Sequence, residues 1–249
     1  MTSLSTDVGK ALDDAQIQQQ QMTQPTESLT FMEAELYRAA ATGQIGTFTS
    51  NKELQIEQLL TPFKNTVLHI HITASTTDHT EFVDEILRIS PSLLLKRNAD
   101  GEIPLHLAAR YGHARIVELL IEHARGLDRA SVGTRDIESS AAGVGAVREM
   151  LAKLTESENT ALHEAVRFRH LNVVRLLLRE DPHLLKSANR AGETPFYLAA
   201  ERGYLDLVRE MLSVCSSINA SGPNNSTALH AAVVMSKKGM QVLVLVLMD

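Results

Sequence analysis

An all-α stack of small helical hairpins is the fold class this sequence predicts, on three observations. First, a two-residue step recurs along the chain: Leu68-His69, Leu105-His106, Leu162-His163, Phe196-Tyr197 and Leu229-His230. The second residues of these steps lie 37, 57, 34 and 33 positions apart. Second, each step carries the same grammar, with a Thr (once Ile103) just before it and small residues after it. Third, the stretch 101–120, GEIPLHLAARYGHARIVELL, spells two short helices with apolar residues at helical spacing. A pair this small cannot bury its own apolar face, so it must stack on copies of itself.

Within that stretch, Pro104 suits the first helical position, because its φ is preset and its missing N–H is not needed there. Leu105, Leu107, Ala108 and Ala109 give the first helix a small apolar face, and Gly112 closes it, since a left-handed residue after a helix favours glycine. Ile116, Val117, Leu119 and Leu120 begin the second helix. Ile103 stands where Thr would cap, and a lost cap typically costs about 1 kcal/mol.

A period near 33 carrying T-P-L-H-x-A resembles the ankyrin repeat. The matching phrases are TVLH from Thr66, IPLH from Ile103, TALH from Thr160, TPFY from Thr194 and TALH from Thr227. Leu36-Tyr37, with Ala39, Ala40 and Gly43, lies 32 residues before His69 and starts the series. The resemblance implies an ankyrin-repeat solenoid of about six repeats over residues 31–249.

Taken in order, residues 1–30 are polar, with a glutamine run from Gln18 to Gln21, and are expected to be disordered because they hold too little apolar material for a core. Repeat 1 begins near Leu36, with its second helix expected around 54–60 and Ile56 and Leu59 facing in. Repeat 2 puts a second helix at 81–88, burying Phe82, Val83, Ile86 and Leu87, and Pro91 ends it. His71 occupies its alanine position, which is expected to weaken the close packing there. SLLLKRN reads as a long linker to repeat 3. The 57-residue step marks an insertion, 126–157: a mobile loop, then a helix at 144–154. Repeats 4 and 5 follow regularly. Repeat 6 opens with TALHAA but ends in the apolar tail MQVLVLVLMD, so the last repeat is expected to be incomplete and the chain truncated or alternatively spliced. Terminal repeats need a polar outer face, which this tail lacks.

Composition narrows the function. Aromatics are 4% of the 249 residues and Trp is absent, which suits thin layers of Leu, Val and Ala. A net charge of −6 argues against nucleic acid, whose binders present a basic face. One cysteine, Cys215, allows no intramolecular disulfide and no thiolate metal cluster, and points to a reducing, cytoplasmic location. No secretory signal and no run of about 18 apolar residues is present, so no transmembrane segment is expected in this chain.

Ten histidines raise a metal site, above all His69 with His71, and His106 or His163. The motif histidines fall about one repeat apart, roughly 10 Å if helices stack at their usual spacing, whereas zinc ligands share one ion at about 2 Å. They are read as structural. Cys215 has no base or orienting group suggested near it, and the Gly143 region lacks the strand and Lys-Ser/Thr of a phosphate loop. No catalytic residue, metal or cofactor is expected. Arg167, Arg169, Arg175 and Arg179 give repeat 4 a basic cast, read as a solvated face or as a landing site for an acidic partner or anionic headgroups. The binding surface is expected on the concave side, formed by hairpin tips and the exposed side of the first helices. Its candidates are Asp100, Glu102, Arg110, Tyr111, Arg167, Phe168, Arg190, Glu193, Glu201 and Arg202, with Tyr111 and Phe168 as anchors because aromatics dominate binding energy.

Four longer phrases narrow the resemblance: MEAELYRAA from Met32, NTVLH from Asn65, NTALHEAVR from Asn159 and NRAGETPFYLAAERG from Asn189. Over roughly 32–232 the chain resembles the plant ankyrin-transmembrane family of accelerated-cell-death proteins. That resemblance implies a cytosolic-facing repeat array, membrane location for longer relatives at the plasma membrane, and a role in defence or cell-death signalling. The sequence as a whole reads as a non-enzymatic protein-interaction module with one or more protein partners. A membrane-associated signalling subunit is the alternative, and an enzyme the alternative of another class.

Overall fold

The computed structural model describes residues 32–50, 54–132 and 145–214, together with 222, 223, 226, 227 and 230. Expectations for residues 1–30, Cys215, Gly143, most of the loop within the insertion and the apolar C-terminal tail fall outside them.

Among the described residues the chain is all helix and turn, arranged as five successive helix pairs. These are α1 (Ala34–Thr42) with α2 (Gly46–Thr49), α3 (Val67–Ala74) with α4 (Glu81–Ile89), and α5 (Pro104–Tyr111) with α6 (Ala114–Val132). A short helix, α7 (Ala146–Leu151), precedes the last two pairs, α8 (Ala161–Arg167) with α9 (Leu171–Glu180), and α10 (Pro195–Glu201) with α11 (Leu205–Val214). First helices stack on first helices in the order α1, α3, α5, α8, α10, and second helices likewise in the order α4, α6, α9, α11. The repeating step predicts this: Leu68, Leu105, Leu162 and Phe196 occupy equivalent places and all are fully buried. Ala108, Ala165 and Ala199 let the neighbouring helices approach and are also sealed from water.

Each first helix starts as its sequence prescribes. The hydroxyls of Thr66, Thr160 and Thr194 accept the N–H groups of His69, His163 and Tyr197, satisfying a donor that the helix leaves free. Ile103 has no such group; its side chain is wholly buried instead, so repeat 3 exchanges a cap for apolar contact.

Between pairs the chain makes a tight hairpin, closed by N–H to C=O bonds from Thr61 to Asn65, Asn98 to Glu102, Thr155 to Asn159 and Asn189 to Glu193 (2.9–3.0 Å). Successive hairpins join edge to edge: Ala99 N–H donates to Phe63 O, Glu156 to Asp100 O and Arg190 to Ser157 O. At the donor position of this ladder the first hairpin has Pro62, which cannot donate. The turn closed by Gly222 N–H to Ser226 O has Pro223 in the same place. Proline at an unpaired edge leaves no orphan N–H. Beyond it, Thr227 and His230 repeat the bonding of the earlier Thr–His pairs, with Thr227 N–H donating to His230 Nδ1 at 3.2 Å.

Five expectations change. The second helix of repeat 1 is α2, anchored by buried Phe48; residues 54–60 form only a 3₁₀ turn, Ile56–Gln58, because the polar run around it offers no stripe to bury. The supposed linker after α4 is core: Pro91–Leu95 folds as a 3₁₀ turn with Leu93 and Leu94 buried, and Pro182–Lys186 repeats it with Leu184 and Leu185. The expected insertion, 126–157, opens as helix and not as loop, since α6 runs unbroken for 19 residues to Val132. The helix expected at 144–154 is only α7; it packs back on α6 with Met150 and Leu151 buried, while Val147 is partly covered and Leu154 is exposed. So α5 and α8 touch directly, as in any neighbouring pair, and the stack is not interrupted there. Finally, His71 does not loosen its repeat. Gly43, at φ 72°, makes room for the ring, which stacks on Phe82 at 4.4 Å and donates from Nδ1 to Ala40 O.

Candidate protein-binding face

The motif histidines come first, because their bonding decides what they can do. In repeats 2, 3 and 4 a backbone N–H (Thr66, Ile103, Thr160) donates to Nδ1 of His69, His106 and His163 at 3.1–3.3 Å. Nε2 of each ring faces a carbonyl of the following segment: Glu102 O, Lys153 O and Glu193 O, at 3.0–3.1 Å. A backbone N–H can only donate and a carbonyl can only accept, so these rings are neutral with the proton on Nε2. Burial lowers all three pKa values to about 4. Nδ1 is used at the start of its own helix and Nε2 in joining that repeat to the following segment, which leaves neither for a metal. Among the described residues no group of three or more His, Cys, Asp or Glu is placed to hold one.

Beside this row runs a polar network that the repeat grammar does not require. Glu164 stands where the neighbouring repeats have Ile70, Leu107 and Leu198, and its side chain is 1% exposed. Arg110 reaches across from α5: its Nε donates to Glu164 Oε2 at 3.0 Å, and its Nη2 donates to Glu102 Oε1. Arg167 Nη1 meets the other Glu164 oxygen at 3.2 Å. Burial by itself would lower the Arg110 pKa, but Glu164 and Glu102 more than offset this and hold it above the ordinary value. Two hairpin asparagines extend the network. Asn98 accepts the N–H groups of Asp100 and Glu102 and donates to Asn65 and Glu102. Asn189 does the same with Ala191, Glu193 and Asn159.

The ten sequence candidates therefore separate. Glu102 is buried and Arg110 is locked between two repeats; both serve the stack. Arg167 is half-buried and Glu193 is tied to Asn189. Tyr111 and Phe168 are exposed, 44% and 49%, at matching places in adjacent repeats, each just after the arginine of the network. Asp100, Arg190 and Arg202 are exposed, and Glu201 is half-buried. Arg190 pairs with Glu158 at 3.5 Å. The basic cast of repeat 4 is largely neutralised: Arg175 meets Glu210 at 2.7 Å, and Arg169 meets Asp206 while lying over the Tyr204 ring. Glu164, Asn98, Asn159 and Asn189 escaped the sequence reading. The departure of Glu164 from an aliphatic column was the signal that could have found the first.

Five stacked helix pairs, joined by a histidine row and a ladder of hairpins, fix the family. A model of the family described as Ankyrin repeats (3 copies) matches residues 36–136 and 162–248. The chain belongs to the ankyrin-repeat family. Ankyrin repeats are protein-interaction modules, and that is the general character of this chain. It is 31% identical over 150 residues to Protein ACCELERATED CELL DEATH 6 of Arabidopsis thaliana, covering 59% of the chain and 21% of that protein. It is 31% identical over 114 residues to Poly [ADP-ribose] polymerase tankyrase of Caenorhabditis elegans (45% and 5%). It is 24% identical over 153 residues to NF-kappa-B inhibitor zeta of Bos taurus (57% and 21%). The matches thus span about a fifth or less of each relative. Among the described residues no helix is long and apolar enough to cross a membrane.

Proposed function

We propose that this ankyrin array binds a protein partner through the face centred on Tyr111 and Phe168, without catalysing a reaction. The observation that carries the reading is the pair itself: two large apolar rings, exposed at matching positions of adjacent repeats and seated beside the rigid Arg110–Glu164–Arg167 network. Exposed aromatics on a preorganised support are what binding hot spots are made of. Asp100, Arg167, Arg190, Glu193, Glu201 and Arg202 frame them. Glu102 and Arg110 act from beneath, by fixing the surface. Likeness to ACCELERATED CELL DEATH 6 supports a role in defence or cell-death signalling.

Proximity labelling in the native cell, comparing the natural chain with Tyr111→Ala/Phe168→Ala, tests the surface. The double variant should keep its helical circular dichroism and lose at least tenfold in labelling of its strongest partners. Unchanged labelling would remove this face from the proposal.

A further inference from the structure

A second docking groove lies away from that face, between α4 and α6, and we infer that it takes a basic amphipathic helix of a partner protein. The groove has a volume of about 370 Å³. One wall is Asp84, Leu87 and Arg88 of α4, continued by Pro91 and Leu94. The other is Leu119, Glu122, His123, Gly126 and Leu127 of α6. Those five positions follow i, i+3, i+4, i+7 and i+8, a single helical face about 12 Å long at 1.5 Å per residue. It is available only because α6 runs for 19 residues where α4 has 9 and α9 has 10.

Gly126 is the observation that points outward. Inside a helix glycine is the costliest residue bar proline, and it is kept where a backbone must be approached closely. Here a Cβ would meet no atom within 4 Å and no positive φ is involved, so nothing in the described chain calls for glycine. Beside it Leu127 leaves 38% of its surface in water. A flat-sided groove with a glycine in its wall and leucines along it fits a helix packed ridge into groove.

Charge selects the sign of that helix. Asp84 binds His123 Nε2 at 2.9 Å and Arg88 at 2.7 Å, and Arg88 also meets Glu85 at 2.9 Å. Glu122 is exposed beside them. Among the charged residues that line the groove, Asp84 and Glu122 outnumber Arg88, so the rim is acidic. Arg125 is turned away to Glu180 of α9.

The test uses the full chain and two 16-residue N-acetylated peptides. Both carry Leu at i, i+3, i+4 and i+7; one has Lys and the other Glu at the remaining positions. Fluorescence anisotropy should show the Lys peptide binding at least tenfold tighter than the Glu peptide. Gly126→Leu, which fills the groove and should melt no lower than the natural chain, should weaken that binding at least tenfold. Should Gly126→Leu misfold, Glu122→Lys on the exposed rim carries the test and should reverse the preference between peptides. Tyr111→Ala/Phe168→Ala should leave binding unchanged, which separates this groove from the face proposed above. Equal binding of both peptides, indifference to Gly126→Leu and Glu122→Lys, or no binding at all would overturn the inference. So would a small apolar dye, 8-anilinonaphthalenesulfonate, that binds in the groove and is lost in Gly126→Leu while neither peptide binds.

Discussion

His170 lies directly against Gly112: its Nε2 donates to Arg110 O at 2.8 Å, and a Cβ on Gly112 would come within 2.4 Å of its Nδ1. The glycine also sits at φ 76°, where side chains are strained. One residue thus ends α5 and admits the ring that ties repeat 3 to repeat 4.

Gly112→Ala should therefore destabilise by more than the roughly 1 kcal/mol of a left-handed alanine alone. Urea titration of Gly112→Ala, His170→Ala and the double variant checks it. The double should be more stable than the sum of the two losses predicts, because removing the ring relieves the clash but not the φ strain. Strict additivity would mean that the ring moves aside at no cost.

Arg110→Met should cost about 3 kcal/mol, because it takes the guanidinium from Glu102 Oε1 and Glu164 Oε2 in a site where the two side chains are 6% and 1% exposed. Arg110→Lys should recover little, since an ammonium cannot serve both carboxylates as the planar guanidinium does. Adding Glu164→Leu, the residue type of the neighbouring repeats, should restore most of the loss. A melting series over these variants decides it.

Acid should weaken the stack before it reaches carboxylate pKa values. In the unfolded chain His69, His106 and His163 take up a proton near 6.5, but in the fold only near 4. Between those values the unfolded state holds more protons, so stability is full above about pH 6.5 and falls as pH drops toward 4. Each ring contributes up to about 3 kcal/mol to that fall. Denaturation midpoints at pH 7.5 and 5.0 should differ clearly, and His163→Gln should flatten the difference.

Leu94→Ala should cost about 2–5 kcal/mol, as truncation of a packed core leucine does. Lys96→Ala, two residues on and exposed, should stay within about 0.5 kcal/mol. If Leu94→Ala were equally silent, the 3₁₀ turn would be a linker after all.

The period, the Thr and Pro starts, the left-handed glycine at 112 and the buried leucines were all legible in the sequence, because each is a local rule repeated in phase. What local rules could not supply is which residues meet across repeats. His71 looked like a packing defect until Gly43, on a different helix pair, was found to make room for it. Glu102 and Arg110 looked like free surface charges because their partners lie outside their own helix, Glu164 as far as 54 residues along the chain. Periodicity fixes the faces of one unit, and it does so through forces that act within a few residues. The register of one unit on the next depends on distances between segments that stay unrelated until they are packed, so the tertiary structure alone decided which charges are buried, which rings are open and where the grooves lie.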